Sequence, residues 1–389
     1  MKKLALGLAA LFSIVLIVVL ALGPELVDKN INRVVQSRQP VTVTAEAKAL
    51  NDRLTIMDWH ADTLLWDARR NMLRSHDYGH VDVPKLKAGN IALQMFTTVT
   101  KSPEGQNYEE NEADSDTITL LAKIQRWPLR TWDSLLERAL FQGHLLAQRV
   151  EESGGDMIFV RGRDDLEAVL AARNEGRRVI GALLGTEGLH PLEGKLENLD
   201  RMEEAGFRMF GLTHFFDNEL GGSLHGTTKA GLTDFGRAVV QKLTADGMII
   251  DLAHASEQMA WDALAISDGP FVVSHTGFKG HCETQRNFPD DLMKAIVAKG
   301  GLVAVGAWDE VTCARTVESV AASIRYGINL VGEDNVVLGS DWDGATEAIF
   351  VADQMAELTA ALLNAGLTPA QVEKVMGGNS VAFLRKALR

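Results

Sequence analysis

Residues 54–62 read LTIMDWHAD, and the reading of the whole fold starts there. A short apolar run ends in His60 and Asp62, two positions apart. Alternate residues of an extended chain point the same way, so both side chains can reach one ion from a single strand end.

The same event recurs down the chain. Apolar runs at Leu54–Asp58, Ile91–Thr98, Val179–Leu184, Met209–Leu212, Met248–Leu252, Phe271–Val273, Leu302–Val305 and Val336–Leu338 alternate with helix-like stretches such as Leu196–Ala205, Asp234–Asp246, Glu257–Ser267 and Asp290–Lys299. Strands buried on both faces read as continuous apolar runs, and their alternation with helices predicts a parallel sheet. Eight such units predict an α/β fold of the (β/α)8 TIM-barrel type over residues 51–389. An open, doubly wound sheet is the competing arrangement, but no glycine-rich phosphate loop follows the first run. Met157–Val160 reads as an extra strand or edge piece, and residues 116–152 as a long helical insertion. Near the C-terminus, Thr368-Pro369-Ala370-Gln371 carries the signals of a helix start: a capping Thr, Pro at the first helical position and Gln at the capping-box position.

Most of the apolar runs end in a polar side chain capable of chemistry. The first gives His60 and Asp62, and the third gives Glu187 in Gly185-Thr186-Glu187-Gly188. The fourth gives His214, the fifth Asp251 and His254, the sixth His275, and the eighth Asp341 and Asp343. In a barrel these ends converge on one mouth, where active sites are built. One histidine after a strand is ordinarily a hydrogen-bonded side chain, and His76, His80, His144, His190, His225 and His281 are read as structural in that sense. The strand-end set taken together is hard to explain by packing, because so many buried charges would need compensation. Mixed imidazole and carboxylate donors without cysteine suit Zn2+, with Mn2+ or Co2+ tolerable. The donors outnumber the protein ligands one catalytic zinc usually takes. Two ions bridged by a carboxylate use them economically, with His60, Asp62 and Glu187 on one and Glu187, His254 and His275 on the other. Two such ions ~3.5–4 Å apart activate a water and polarise a carbonyl.

The N-terminus stands apart. Lys2 and Lys3 precede an uncharged apolar run from Leu4 to Leu22, close to the length that crosses a bilayer. It is long for the apolar part of a cleaved signal, and Pro24 follows the nearest small-residue pattern. A signal anchor over residues 1–23 is therefore expected rather than a removed signal peptide. Lys2 and Lys3 would stay cytoplasmic and the rest of the chain would be exported into the cell envelope. Residues 24–50 read as a stalk or leading helix. The net charge is −13, which repels phosphate backbones and argues against a nucleic-acid partner. The acidic run from Glu109 to Asp116 reads as solvated surface. The two cysteines, Cys282 and Cys313, are read equally well as one disulfide or as two buried thiols.

With these motifs in place, the chain resembles the membrane dipeptidase (renal dipeptidase) family of amidohydrolase-like metallopeptidases from about Asp58 onward. The resemblance rests on Asp58-Trp59-His60-Ala61-Asp62, Gly185-Thr186-Glu187-Gly188, Leu212-Thr213-His214, Asp251-Leu252-Ala253-His254, Ser274-His275, Arg286-Asn287-Phe288-Pro289-Asp290-Asp291 and Gly339-Ser340-Asp341-Trp342-Asp343-Gly344. It implies a binuclear zinc site with the ligands above, and a small peptide substrate whose C-terminal residue can be of the D form. It implies that His214 contacts the substrate carbonyl region, Arg286 grips the terminal carboxylate and Asp341 handles the proton, with Glu187 also in the catalytic set. It raises the disulfide reading slightly, and a homodimer is left open. The chain departs from the family at Trp59, where a small residue is frequent, and at Phe215-Phe216-Asp217-Asn218 after His214. Without the resemblance, Arg286 would read as a surface ion pair with Asp290 or Asp291. The competing function is a binuclear-metal hydrolase acting on a lactone, ester or cyclic amide, which would not need Arg286. A non-catalytic binding protein on the same fold would be expected to lack a ligand, and none is missing.

Overall fold

The computed structural model describes residues 22–389. Nine strands form one parallel sheet: β1 (Ile56–Ala61), β2 (Ile91–Thr98), β3 (Met157–Phe159), β4 (Ile180–Thr186), β5 (Phe207–Gly211), β6 (Ile249–Asp251), β7 (Phe271–Thr276), β8 (Leu302–Val305) and β9 (Val336–Leu338). β1 pairs with β2 and β9, and β2 also pairs with β4, so eight of the strands close into a barrel. The ninth, β3, pairs with the first half of β4, and β5 takes over from Leu184 onward. The extra run at Met157–Val160 is thus an edge piece set into the lower wall.

Each predicted run became a strand because it is apolar and buried on both faces, as parallel barrels require. One cluster holds Met57, Met95, Leu183, Met209, Ile249, Val272, Ala304 and Val337, with members from every barrel strand, and it fills the interior. The C-terminal helix Asn379–Ala387 adds Phe383 and Leu384 to that cluster. β1 continues past its predicted end at Asp58 to Ala61, all six residues buried. The unexpected Trp59 packs edge-on to Phe383 and donates to Ser380 Oγ at 2.9 Å, so its bulk belongs to the core.

The helical insertion is broken rather than continuous. It comprises Ile118–Ile124, a short turn at Leu129–Thr131 and the long helix Leu135–Glu152, whose Ser134 hydroxyl accepts from Glu137 N. Pro128 explains the break, since it lacks an N–H and disfavours helix in the residue before it. The capping box at Thr368 and Gln371 forms as read. Helix then resumes at Asn379 after Gly377, where any Cβ would lie 1.8 Å from Thr55 O.

Residues 24–50, expected as a stalk or leading helix, lie against the barrel. The helix over 22–31 buries Asp28, and Asn32, Val35 and Val41 after it are buried too. Val34 forms a bridge with Ala348 in the segment after β9. The expected anchor at Leu4–Leu22 lies outside the described residues except for its last position. Among the described residues no helix is long and apolar enough to cross a membrane.

Candidate metal centre

Glu187, directly after β4, organises the mouth. Its Oε1 lies 3.5 Å from His60 Nε2, 3.1 Å from His254 Nε2 and 3.2 Å from His275 Nε2. Its Oε2 lies 3.2 Å from His214 Nε2. Asp62 Oδ1 is 3.6 Å from His60 Nε2 and accepts from Thr97 Oγ1 at 2.6 Å. Asp341 completes a third group with His60 and Asp62, its donor atom within 4.8 Å of theirs. Barrel closure therefore gathers His60, Asp62, Glu187, His214, His254, His275 and Asp341 around one carboxylate. The expected division between two ions is less distinct. His275 groups with His60 and Glu187, while His254 groups with Glu187 and His214.

The tautomers of two ligands can be argued from Ser274. Its hydroxyl donates to Asp251 Oδ2 at 2.6 Å. Having spent its proton, Ser274 Oγ can only accept from His60 Nδ1 at 3.1 Å and His275 Nδ1 at 2.8 Å. Both rings then carry a proton on Nδ1 and aim Nε2 at Glu187, so that Nε2 is the atom left to take a cation, whether a metal ion or a second proton. His60 Nε2 has no hydrogen-bond partner although fully buried, and His254 and His275 bring their Nε2 atoms within 2.8 Å of each other. Converging lone pairs beside a carboxylate repel one another unless a cation sits among them. A second ring nitrogen held by an outer partner is the usual setting of a metal-bound imidazole. The residues present fit a metal centre.

The electrostatics agree. Burial, with Asp62 adding to it, holds the Glu187 carboxyl well above its ordinary range. Burial lifts Asp341 to about 8. Burial works against charging His60, yet Glu187 and Asp62 outweigh it and raise the imidazole to about 10. Burial holds His254 and His275 far below the usual imidazole range, and it lowers His214 to about 4. Three neutral imidazoles, a fourth that draws in a proton, and carboxylates that resist ionisation describe a site short of positive charge, which divalent cations supply.

Arg286 is not a surface ion pair. It is 1% exposed, donates to His275 O at 2.6 Å and lies 3.3 Å from His254 Nε2, with its guanidinium over the Trp308 ring. Among the described residues no carboxylate lies within ion-pair distance of it, and it lines the cleft. Asp290 bonds Tyr326 instead. A disulfide joins Cys282 to Cys313 and ties the segment carrying Arg286 to the one that follows Trp308. The sequence had left that pairing open.

Two strand-end carboxylates stand one layer back. Asp251 holds Ser274 through both Oγ and N. Asp343 is locked by Arg70, Thr63 and the backbone N–H of His80. His80, His190 and His225 are fully or almost fully buried, and His225 stacks on Phe215 behind His254. The sequence reads all three as structural, and in the fold His80 bonds Asp343, His190 packs on Phe216 and His225 bonds Tyr108 O. Ser274, Thr97, Tyr108 and Trp308 were not singled out as site residues. Only Ser274, adjacent to His275, could have been, while Tyr108 and Trp308 meet only in the fold, where the indole donates to the phenol oxygen at 3.1 Å.

The centre opens into a cleft of about 720 Å3 that reaches from Asp62, Glu187, His214, His254, Arg286 and Asp341 to the helix over 22–31 and to Ile118–Ile124. The acidic residues Glu110, Glu112 and Asp114 face solvent as read, whereas Glu109 reaches the cleft rim and Asp116 pairs with Arg138.

Known proteins share this architecture. The chain is 28% identical over 357 residues to dipeptidase aclJ of Aspergillus oryzae, covering 85% of this chain and 78% of that one. A metallopeptidase of Rhodobacter sphaeroides, solved with a phosphinate mimic of the dipeptide L-Ala-D-Ala, superposes with a TM-score of 0.68 at 21% identity, over 86% of this chain and 100% of that one. The probable dipeptidase PvdM of Pseudomonas aeruginosa superposes with a TM-score of 0.72 at 17% identity, over 88% and 97%. These likenesses bear out the barrel. A model of the membrane dipeptidase family matches residues 44–388, which takes in the strands, every donor at the mouth and Arg286. The chain therefore belongs to the membrane dipeptidase family, peptidase family M19, and is a metallodipeptidase.

Proposed function

We propose that this enzyme works with two Zn2+ ions held by His60, Asp62, Glu187, His254 and His275, and that it cleaves dipeptides with a free C-terminal carboxylate. The observation that carries the reading is Ser274, whose single hydroxyl fixes two imidazoles with Nε2 facing Glu187. When bound, such ions supply Lewis acidity that activates water and polarises the scissile carbonyl.

The remaining work falls to side chains. Arg286 has no carboxylate partner and offers a guanidinium fork for the terminal carboxylate of a substrate. That contact leaves room for one residue after the scissile bond. His214, neutral at ordinary pH, faces the cleft beside Glu187 and meets the carbonyl oxygen as charge develops on it. Asp341 stands at the mouth with His60 and Asp62, and among the described residues no hydrogen bond reaches its carboxylate. It takes the proton from the attacking water as the C–O bond forms and passes it to the amine as the C–N bond breaks. The ligand of the Rhodobacter structure supports acceptance of a D-residue on the C-terminal side. The unpaired Arg286 disfavours a lactone, ester or cyclic amide.

The apolar run Leu4–Leu22 after Lys2 and Lys3 supports anchorage in the membrane with the barrel on the exported side, where a disulfide such as Cys282–Cys313 persists. Metal analysis of the purified chain, with a dipeptide panel assayed before and after chelation, tests the reading. Two zinc ions per chain and activity restored by Zn2+ are expected. Turnover indifferent to chelation, or a His254→Ala variant of unchanged activity, would refute it.

A further inference from the structure

The family match begins at residue 44, yet the cleft has a wall from before that point. Val27 and Ile31, on the helix over 22–31, face the cleft together with Leu120, Leu121 and Ile124 of the insertion, and Trp66 lines the same cleft. Ile31 keeps 38% of its surface exposed and Leu120 63%, and both open onto the cleft, where their apolar surface is available to a bound side chain. The cleft volume, about 720 Å3, lies in the range that holds drug-sized ligands, beyond a pair of small residues.

This wall is fixed in place. Asp28 is buried against Arg70, which also grips Asp343, and Asn32 donates to Asp28 Oδ1 at 2.8 Å. Asn32 Oδ1 accepts from Ala345 N at 3.1 Å, Val35 N donates to Ala348 O at 3.0 Å, and the Arg33 carbonyl lies 2.9 Å from His80 Nε2. The segment is thereby bonded to the loop that carries Asp341, so its apolar face holds a set position relative to the reacting centre.

We propose that residues 22–34 form a specificity wall. Val27 and Ile31, with Leu120, Leu121 and Ile124, make a subsite for a large apolar side chain on the N-terminal residue of the substrate. This rests on the dipeptidase reading, in which Arg286 holds the opposite end and the N-terminal residue points outward. Continuity of the apolar surface with the metal centre identifies the occupant as part of the substrate.

The test compares Phe-Ala, Ala-Phe and Ala-Ala with the full-length, metal-loaded enzyme and its Ile31→Ser and Leu120→Ser variants. Both positions are exposed enough to change without loss of the fold. The parent enzyme is expected to prefer Phe-Ala to Ala-Ala. In the variants kcat/KM for Phe-Ala falls ~10-fold or more, mainly through KM, while Ala-Ala and Ala-Phe stay within about 2-fold. Equal loss on all three peptides, or no loss on any, overturns the proposal. Unchanged kinetics with weaker binding to phospholipid vesicles also overturns it and assigns Ile31 and Leu120 to a bilayer contact. If no peptide is hydrolysed, the dipeptidase reading has failed. Calorimetric binding of Phe-Ala against Ala-Ala, lost in Ile31→Ser, then still decides the subsite.

Discussion

Asp341 and Asp343 stand two residues apart after β9, both buried and both with a left-handed backbone at φ 61° and 62°, yet they belong to clusters of opposite character. Asp343 is saturated. Its oxygens accept from Thr63 Oγ1 at 2.8 Å and His80 N at 2.7 Å, and Arg70 closes an ion pair on it. Burial works against its charge, but Arg70 and His80 outweigh burial and hold its carboxyl below the usual range. Asp341 faces Asp62 and His60, and among the described residues no hydrogen bond reaches its carboxylate. Its pKa rises to about 8 instead. Burial of charge alone therefore does not mark the functional site. Convergence of several unsatisfied buried polar atoms on one cleft does, because the fold has spent desolvation energy there that a ligand recovers.

The contrast is most sharply tested by neutralising one carboxylate from each cluster. Glu187→Gln should lower dipeptide turnover by more than ~100-fold, the upper range for outer partners of a metal site, without lowering the thermal unfolding midpoint of the metal-stripped protein. Asp343→Asn should instead destabilise the fold by up to about 3–5 kcal/mol, because it leaves buried Arg70 with Asp28 as its one remaining ion-pair partner among the described residues. A Glu187→Gln protein that fails to fold, or an Asp343→Asn protein of undiminished stability in denaturant melts, would erase the distinction.

A subtler break uses Gly344, where an added Cβ would sit 2.0 Å from Asp341 Oδ1 and 3.0 Å from Asp62 Oδ2. Gly344→Ala should displace Asp341 and reduce kcat by up to about 100-fold, with KM little changed. Steady-state kinetics would show this, and a loss confined to KM would count against a proton-handling role.

Arg286→Ala should reduce kcat/KM for free-carboxylate dipeptides by about 10- to 100-fold, as expected for a lost charge-assisted contact. C-terminally amidated analogues should be indifferent to the change. Equal sensitivity of acid and amide would assign Arg286 to structure.

The smallest effect concerns His225, whose imidazole burial pushes down to about 3, with Arg286 adding to the shift. The unfolded chain binds a proton below its ordinary 6.5 that the folded chain refuses until about 3. Stability from this residue is thus complete above pH 6.5 and is lost as pH falls through that window. Thermal melts of His225→Gln should show a shallower loss toward acid than the parent, and an unchanged slope would place the titration elsewhere.

Much of this was readable before folding. The donors of the mouth all follow apolar runs, and the position after a parallel strand predicts the barrel's open end. Arg286 was legible only through the family resemblance, since its neighbours Asp290 and Asp291 suggest a surface pair that the fold does not make. The break at Pro128 was written in the chain but outweighed by the helical run around it. The packed state of residues 24–50 was not legible, because Asp28 and Asn32 look like solvent-facing residues until Arg70 and Ala345 are brought to them.

The sequence by itself determined the strand rhythm, the helix caps and the identity of the side chains at each strand end, because those depend on local period and on residues within a turn of one another. Only the tertiary structure decided which of these side chains share a site. Asp251 and Asp343 became supports while Glu187 and Asp341 became centres. Ser274 came to serve two imidazoles, and a segment outside the family match became a wall of the cleft. These choices follow from closing the barrel, which brings together residues as far apart as His60 and Asp341, and no local pattern encodes a contact across that distance.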